Sequence, residues 1–346
     1  MIFLQIAGQS LPAVGEGIKW GLSDLPQGPH PLAPARPARS KSPMGATDTS
    51  HSDPSGRRAN HLGAALMVGS MTAFTINDAF MKVLGGEWPV FQSLFVRGAF
   101  VVVLMTVLAF ALGHIQRGIG RADWRLVLIR SGCEGAAAAL FITAIFNMPL
   151  AEATAILQTL PLTVTLAGAL FLGEAVGWRR WGAILVGFAG VLLVVQPGGA
   201  GFTIYSLYAV AAVILITVRD MAARRMSRDV PSLLAALVGA AAVTLVGAVG
   251  SLAEEWQPLT QTAAIGLAGA VATIIFAYIF SVAAMRSGEI GFVAPYRYTS
   301  LLAALILGVV FFGEIPNALT LAGAALITAS GIYTLLRENR AKHAAS

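Results

Sequence analysis

Several ionisable side chains stand inside long apolar stretches of this sequence, and their types suit binding and charge compensation rather than bond cleavage. Asp78, Arg97, Glu134 and Glu152 are flanked on both sides by residues that avoid water. A charge at the centre of a lipid bilayer is costly, so each such group needs a partner, a ligand or a water-filled cavity. Arg97 has two readings: a structural ion pair with a neighbouring carboxylate, or a clamp on an anionic or carbonyl group of a ligand. A guanidinium suits both, because it keeps its charge and presents a planar fork of donors. Asp78 is either the partner of Arg97 or a site for a cation or proton. Arg130 and Glu134 are four apart and share a helix face. Arg130 is near enough to a span end to snorkel to the interface, which leaves the deeper Glu134 as the better cavity residue. No His falls within an apolar run, so proton coupling would pass through Asp78 or Glu134, with Glu152 near the outer mouth as a further candidate. A carboxylate held out of water is suited to reversible protonation.

Tyr296-Arg297-Tyr298 adds an arginine between two aromatics. The two tyrosines project to different sides of a helix, so one can stack on a heterocycle while the other packs or anchors. An aromatic-plus-arginine set suits a heteroaromatic ligand. Pro295 removes a backbone hydrogen bond just before them and loosens the helix. Gln158 and Tyr278 are weaker candidates for ligand contact, since a single buried polar residue often bonds a neighbouring helix instead.

The elements that position these residues are membrane-spanning helices. Hydrophobic residues make up 56% of the chain, charged residues 12%, and the mean hydropathy is +0.74. A soluble domain carries about 25% charged residues, so most of this surface faces lipid. A helix needs about 20 apolar residues to cross the hydrocarbon. Runs of that length fall near 62–82, 88–112, 124–146, 149–172, 178–196, 202–222, 231–252, 259–285, 290–312 and 317–336, which predicts ten spans. Alternate breaks hold nearly all the Arg and Lys: Arg57 and Arg58; Arg117, Arg121 and Arg125; Arg179 and Arg180; Arg219, Arg224, Arg225 and Arg228; Arg286; then Arg337, Arg340 and Lys342. The opposite set offers only Lys82 as a cation, and one of its breaks carries Glu254 and Glu255. That asymmetry places both termini in the cytoplasm. Trp88, Trp124, Trp178, Trp181 and Trp256 fall at span ends, where an amphipathic ring prefers the interface.

The chain also repeats itself. Leu170-Phe171-Leu172-Gly173-Glu174 is followed by Gly182 and Gly190, and Val310-Phe311-Phe312-Gly313-Glu314 by Gly323 and Gly331, each glycine pair eight residues apart. Each Gly-Glu sits between a fourth and a fifth span, so with five spans per half the two halves are inverted in the membrane. Inverted halves give a carrier two similar wells, one open to each side, with the ligand near the midplane. The glycines of the fifth and tenth spans, Gly187 included, mark close helix packing, and Glu174 and Glu314 at span ends suit a capping or hinge role. Glu152 to Glu174 is about one turn shorter than Glu289 to Glu314, as if one helix absorbs a difference.

On these features the sequence resembles the drug/metabolite transporter superfamily, in its form with two EamA-type halves, over essentially all of 62–336. Asn77-Asp78-Ala79, Lys82, Phe95-Val96-Arg97-Gly98 and Ala294-Pro295-Tyr296-Arg297-Tyr298 look like a subgroup that includes bacterial S-adenosylmethionine carriers; riboflavin importers belong to the wider family. The resemblance implies two EamA-like five-helix repeats, 61–197 and 198–336, with spans 1–4 and 6–9 as two moving bundles and spans 5 and 10 peripheral. It implies a secondary carrier in the bacterial inner membrane that moves a heterocyclic metabolite, the alternative being export of amino acids or similar small amphipathic metabolites. Substrate contacts are then expected from Arg97, Glu134, Gln158, Tyr278, Tyr296, Arg297 and Tyr298.

Other classes fit poorly. An intramembrane enzyme would need a membrane His or a second carboxylate in its own motif; a channel would usually be a symmetric oligomer with a filter or charge rings. The chain has no P-loop. The formal charge of +6 sits in clusters at span ends rather than on a basic face, which excludes nucleic acid as a partner. The single cysteine, Cys133, has no partner, and no Cys/His cluster has metal-ligand spacing, so neither metal nor cofactor is expected. The expected partners are a small-molecule substrate, the lipid bilayer and, at most, a second copy in a homodimer. Residues 1–60 are Pro- and Ser-rich without periodic apolar pattern and are expected to form a disordered tail, with Met44 as an alternative start; 337–346 is expected to be a second, cytoplasmic tail.

Overall fold

The computed structural model describes residues 54–111, 120–174, 176–199, 202–227 and 230–345. The expected tail over 1–53, and with it Met44, lies outside the described residues, as do Arg117 and Arg228. Among the described residues there is no strand. With no water in the hydrocarbon to bond free N–H and C=O groups, the backbone satisfies itself within helices.

The helices run α1 (Pro54–Gly85), α2 (Val90–Ala111), α3 (Arg121–Asn147), α4 (Leu150–Leu157), α5 (Leu160–Phe171), α6 (Trp178–Val195), α7 (Ile204–Arg225), α8 (Ser232–Ser251), α9 (Gln261–Ser287), α10 (Ile290–Val293), a 3-10 turn (Ala294–Tyr298), α11 (Thr299–Phe312) and α12 (Ala318–Ala345). Among the described residues, nine segments are long and apolar enough to cross a membrane, α4 with α5 and α10 with α11 each counting once. The tenth is α1, 32 residues long and more polar. It begins at Pro54, within the stretch expected to be a tail, and α12 continues to Ala345 past the expected end of the tenth span.

Both halves break their fourth span. In the first, the helix pauses at Gln158 and Thr159 and restarts with Pro161 in its opening turn, where proline's missing N–H has no intrahelical acceptor to lose. In the second, Pro295 lies in the tighter 3-10 turn that ends at Tyr298. Gln158 stands sixteen residues ahead of Glu174, as Tyr298 does ahead of Glu314, so the breaks are in register. The fourth spans are also equal in length. α4 and α10 each start 24 residues before the glutamate; Glu152 falls inside the first turn of α4 whereas Glu289 precedes α10, so no helix absorbs a difference.

The Gly-Glu motifs are one local structure used twice. Gly173 (φ 68°) and Gly313 (φ 64°) take the left-handed conformation that glycine adopts at lowest cost. The N–H of Glu174 reaches back to the carbonyl of Gly168 (3.2 Å) and that of Glu314 to Gly308 (2.9 Å). Each glutamate then folds over that earlier glycine: a Cβ on Gly168 would fall 2.6 Å from the Glu174 carboxylate, and one on Gly308 would fall 3.3 Å from that of Glu314.

The halves are stitched across rather than side by side. α1 packs along α9, α2 along α8, α3 along α7 and α6 along α12. In span numbers these are 1 with 8, 2 with 7, 3 with 6 and 5 with 10, the set an inverted five-plus-five repeat generates. Small residues let the pairs close. A Cβ on Gly190 would lie 2.8 Å from the carbonyl oxygen of Gly323, and one on Gly323 would lie 2.5 Å from that of Gly190, so α6 and α12 touch backbone to backbone. Large apolar side chains such as Phe110, Leu185 and Leu245 point outward, as a lipid-facing surface requires.

Candidate functional site

Register between the halves identifies what lines the space between them. Asn77-Asp78 and Lys82 in α1 align with Arg219-Asp220 and Arg224 in α7, and Arg97-Gly98 in α2 with Gly239-Ala240 in α8. A cavity of about 210 Å3 lies among α1, α2, α3, α4, α7, α8 and α9. Its wall is built from matched positions: Phe74 and Ile216, Asn77 and Arg219, Gly98 and Ala240, Val101 and Val243, Glu134 and Ile274, Ala138 and Tyr278. The cavity therefore straddles the axis that relates the halves. Apart from the Val101 and Val243 pair, the residues at matched positions differ, so its geometry is symmetric and its chemistry is not.

Four of the expected site residues meet here. Asp78, Arg97, Glu134 and Tyr278 all face the cavity. Asp78 Oδ1 accepts from Asn77 Nδ2 at 3.0 Å, and Tyr278 packs edge-on to Phe74 with centroids 5.6 Å apart. Arg97 makes no ion pair within 4 Å among the described residues, and its buried Nε has no hydrogen-bond partner. Glu134 is 5% exposed and sits between two arginines, 3.4 Å from Arg130 Nη1 and 4.0 Å from Arg219 Nη1.

The remaining expected residues lie elsewhere. Gln158 joins the two helix breaks: its Nε2 donates to the Arg297 carbonyl at 2.8 Å and also to Ser300 Oγ. Tyr298 is buried, with its hydroxyl turned toward Gly331 in α12. Tyr296 packs with Phe292, ring centroids 5.8 Å apart, beside the Met67 and Met71 cluster. Arg297 is outside the cavity wall, and its electrostatic neighbours are Tyr298, Asp220 and Arg219. Glu152 accepts from Thr320 Oγ1 at 3.2 Å, against α12.

Sequence reasoning missed Phe74, Asn77, Phe141 and Arg219 among the residues of the cavity wall and misplaced two further cations. Phe74 and Asn77 carry no charge to draw notice. Arg219 counts as a span-end arginine by position, yet it is 5% exposed in the cavity wall because Asp220 binds it, through Nε at 2.8 Å and Nη2 at 2.6 Å. Its alignment with Asn77 was the signal available. Arg130 does not snorkel: it is 2% exposed and donates to the Ala235 carbonyl at 2.8 Å. Lys82, expected in a loop, ends α1 and is ion-paired to Glu314 at 2.7 Å.

The two Gly-Glu caps are the outer fittings of this site. Lys82 Nζ also takes the carbonyls of Ile145 (3.0 Å) and Met148 (2.5 Å), while Glu314 Oε2 accepts from the Leu150 N–H at 2.8 Å. The pair thereby clamps the α3–α4 connection, at 12% and 16% exposure. Its counterpart on the opposite face, Arg224 with Glu174 at 2.9 Å, is 31% and 44% exposed.

A family model described as the EamA-like transporter family matches residues 61–196 and again 203–336. The chain belongs to the EamA-like transporter family. It is a multi-pass membrane transporter of a small molecule and not an enzyme. Among curated relatives of this EamA-like chain, an S-adenosylmethionine uptake transporter of Rickettsia bellii is 26% identical, over 81% of this chain and 95% of the relative. A pseudopaline exporter of Pseudomonas aeruginosa is 27% identical over 78% and 94%. A riboflavin transporter of Rhizobium johnstonii is 27% identical over 62% and 70%. A crystal structure at 22% identity superposes with a TM-score of 0.53 over 80% of this chain and 98% of its own, a likeness of fold alone.

Proposed function

We propose that this transporter is a secondary carrier in the bacterial inner membrane, with both termini cytoplasmic, that moves a heterocyclic metabolite such as S-adenosylmethionine or riboflavin by alternating access. The observation that carries the reading is the central cavity, lined by matched positions of two inverted halves and flanked by equivalent ion pairs buried to different degrees. Inverted halves that exchange conformations would open such a cavity to each side in turn. Arg97, Glu134 and Tyr278 contact the substrate, and Asp78 is the coupling or cation site. Gln158, Tyr296, Arg297 and Tyr298 act at the paired helix breaks, where they set how the fourth spans bend, and Glu152 acts at the α12 contact. Apolar walls with Phe74, Phe141 and Tyr278 suit a flat ring. The relatives named for S-adenosylmethionine and riboflavin support this substrate class.

The exporter similar over 78% of the chain favours a second reading, outward movement of an amino-acid-like metabolite. Uptake of labelled S-adenosylmethionine and riboflavin into proteoliposomes tests the first. Saturable uptake of one ligand is expected, abolished by Arg97→Ala and slowed, at unchanged affinity, by Arg297→Ala. Absence of uptake of both, with proton or sodium gradients and internal counter-substrate, would overturn both substrates in favour of export.

A further inference from the structure

Beyond the matched pairs, the cavity wall extends over the first half alone. Asp78, Arg97, Phe141 and Leu157 line it, while the residues in register with them, Asp220, Gly239, Ser281 and Arg297, do not. The two aspartates are in register with each other, but the two arginines are not: Arg97 matches a glycine and Arg297 matches a leucine.

The arginines nevertheless have the same surroundings. Each has a buried Nε without a hydrogen-bond partner, and neither is ion-paired among the described residues. Arg97 lies in the field of Tyr278 and Asp78; Arg297 lies in that of Tyr298 and Asp220, with Arg219 as a further neighbour. An arginine, a tyrosine and an aspartate are thus gathered twice, once in the wall and once outside it. Duplication alone does not explain this, because the tyrosines also come from unmatched positions: Tyr278 is in register with Ala138 and Tyr298 with Gln158. A guanidinium with a bare nitrogen is costly to bury in a membrane, and in this conformation Arg297 has no access to the cavity that would justify it.

Exchange of conformations between the inverted halves supplies that access. When the second half takes up the arrangement now held by the first, each wall position passes to its counterpart. Asp78, Arg97, Phe141 and Leu157 then leave, and Asp220, Gly239, Ser281 and Arg297 enter. Glu134 and Arg219 stay, because their counterparts Ile274 and Asn77 already line the wall. Either wall therefore holds two carboxylates and two guanidiniums. With an arginine in one wall only, a ligand that needs it would bind one state far more tightly and hold the carrier there.

We propose that Arg297 and Asp220 form a second ligand subsite, which replaces Arg97 and Asp78 in the opposite conformation, so that a hydrogen-bond-accepting group of the ligand, anionic or carbonyl, passes from one arginine to the other. A planar donor fork of constant charge suits both stations. The subsite rests on the alternating access of the proposed function and is independent of which metabolite is moved and in which direction.

The test is thiol labelling of the full-length protein, in a Cys133→Ala background, in right-side-out and inverted membrane vesicles. Phe141→Cys reports on the present wall and Ser281→Cys, at a position now 1% exposed, on the opposite one. The probes are two impermeant methanethiosulfonates, the anionic sulfonatoethyl and the cationic trimethylammonioethyl reagents. Phe141→Cys should react from the face that carries Lys82 and Ser281→Cys from the face that carries Arg224. Arg297→Gln should lower the anionic-to-cationic rate ratio at Ser281→Cys by about fivefold or more and leave the ratio at Phe141→Cys unchanged, and Arg97→Gln should do the reverse. Arg297→Lys should preserve the ratio at Ser281→Cys, and Asp220→Asn should raise it there alone, so the outcome does not hang on the folding of one variant. A ratio at Ser281→Cys indifferent to Arg297→Gln and Asp220→Asn, or shifted equally at both reporters, would overturn the subsite and leave alternating access standing. A thiol in Ser281→Cys that stays unreactive from the Arg224 face would overturn both.

Discussion

Replacing Lys82 with methionine is the sharpest probe of how the halves are held together. The substitution keeps the aliphatic stem but removes an ammonium that bonds Glu314 at 2.7 Å, the Ile145 carbonyl at 3.0 Å and the Met148 carbonyl at 2.5 Å. Among the described residues, the Glu314 carboxylate is left with the Leu150 N–H as its hydrogen-bond donor and with 16% exposure. Breaking a buried pair on one side costs about 3–5 kcal/mol, and the residual exposure of both partners places this pair at the lower end, about 3 kcal/mol. Glu314→Gln keeps an acceptor for Leu150 but loses the charge and should cost about 2 kcal/mol. The double variant should cost less than the two singles together, with a coupling of at least about 1.5 kcal/mol. Equilibrium unfolding in mixed micelles with increasing dodecyl sulfate measures all three. A coupling near zero would mean that the pair behaves as a solvated surface contact and would refute its role as a clamp. If only one of two exchanging states makes the clamp, 3 kcal/mol corresponds to about a hundredfold shift between them. Lys82→Met should then speed labelling, by an impermeant thiol reagent from the Lys82 face, of a cysteine placed at Val101 in a Cys133→Ala background.

The equivalent change on the other face, Arg224→Met, removes a pair 31% and 44% exposed and should cost under about 1 kcal/mol in the same assay. Gly323→Val puts a branched side chain where the Gly190 carbonyl already lies within 2.5 Å of a Cβ, so α6 and α12 must separate. A loss of about 3 kcal/mol or more is expected, visible as a large drop in melting temperature. Gln158→Leu deletes the link from one broken span to the other, at a cost of about 1–3 kcal/mol for the groups left bare. Hydrogen exchange should quicken over residues 294–300 in that variant, and an unchanged pattern there would show that the breaks are independent.

Much of this architecture is legible without coordinates, because lipid imposes so few solutions. Apolar runs of span length become helices, and Gly173-Glu174 and Gly313-Glu314 expose the duplication. Hydropathy is blind within a span, however. The pause at Gln158 occurs without a proline at the break itself, so 149–172 reads as one continuous helix. Arg219 lies close to the predicted end of its span and reads as a loop charge; only its alignment with Asn77 and the neighbouring Asp220 place it in the wall. Asp78, Arg97, Glu134 and Tyr278 reach one cavity, while Gln158 and the Tyr296–Tyr298 run are drawn to the helix breaks. A list of polar residues within spans does not separate these two groups, because the distinction depends on which neighbour each one meets across the inverted halves.

That stitching also constrains how the protein is made. The neighbour along which α1 lies is α9, roughly 200 residues later in the chain. At about 5–20 residues per second, α1 leaves the ribosome some tens of seconds before α9 is complete. In that interval Asn77, Asp78 and Lys82 are committed to the bilayer without their final surroundings, since Lys82 awaits Glu314 and Ser70 awaits the carbonyl of Ala277 (2.8 Å). The newborn first half is therefore a natural client for membrane chaperones, and ribosome-stalled fragments ending before α9 should be the ones that quality-control proteases remove.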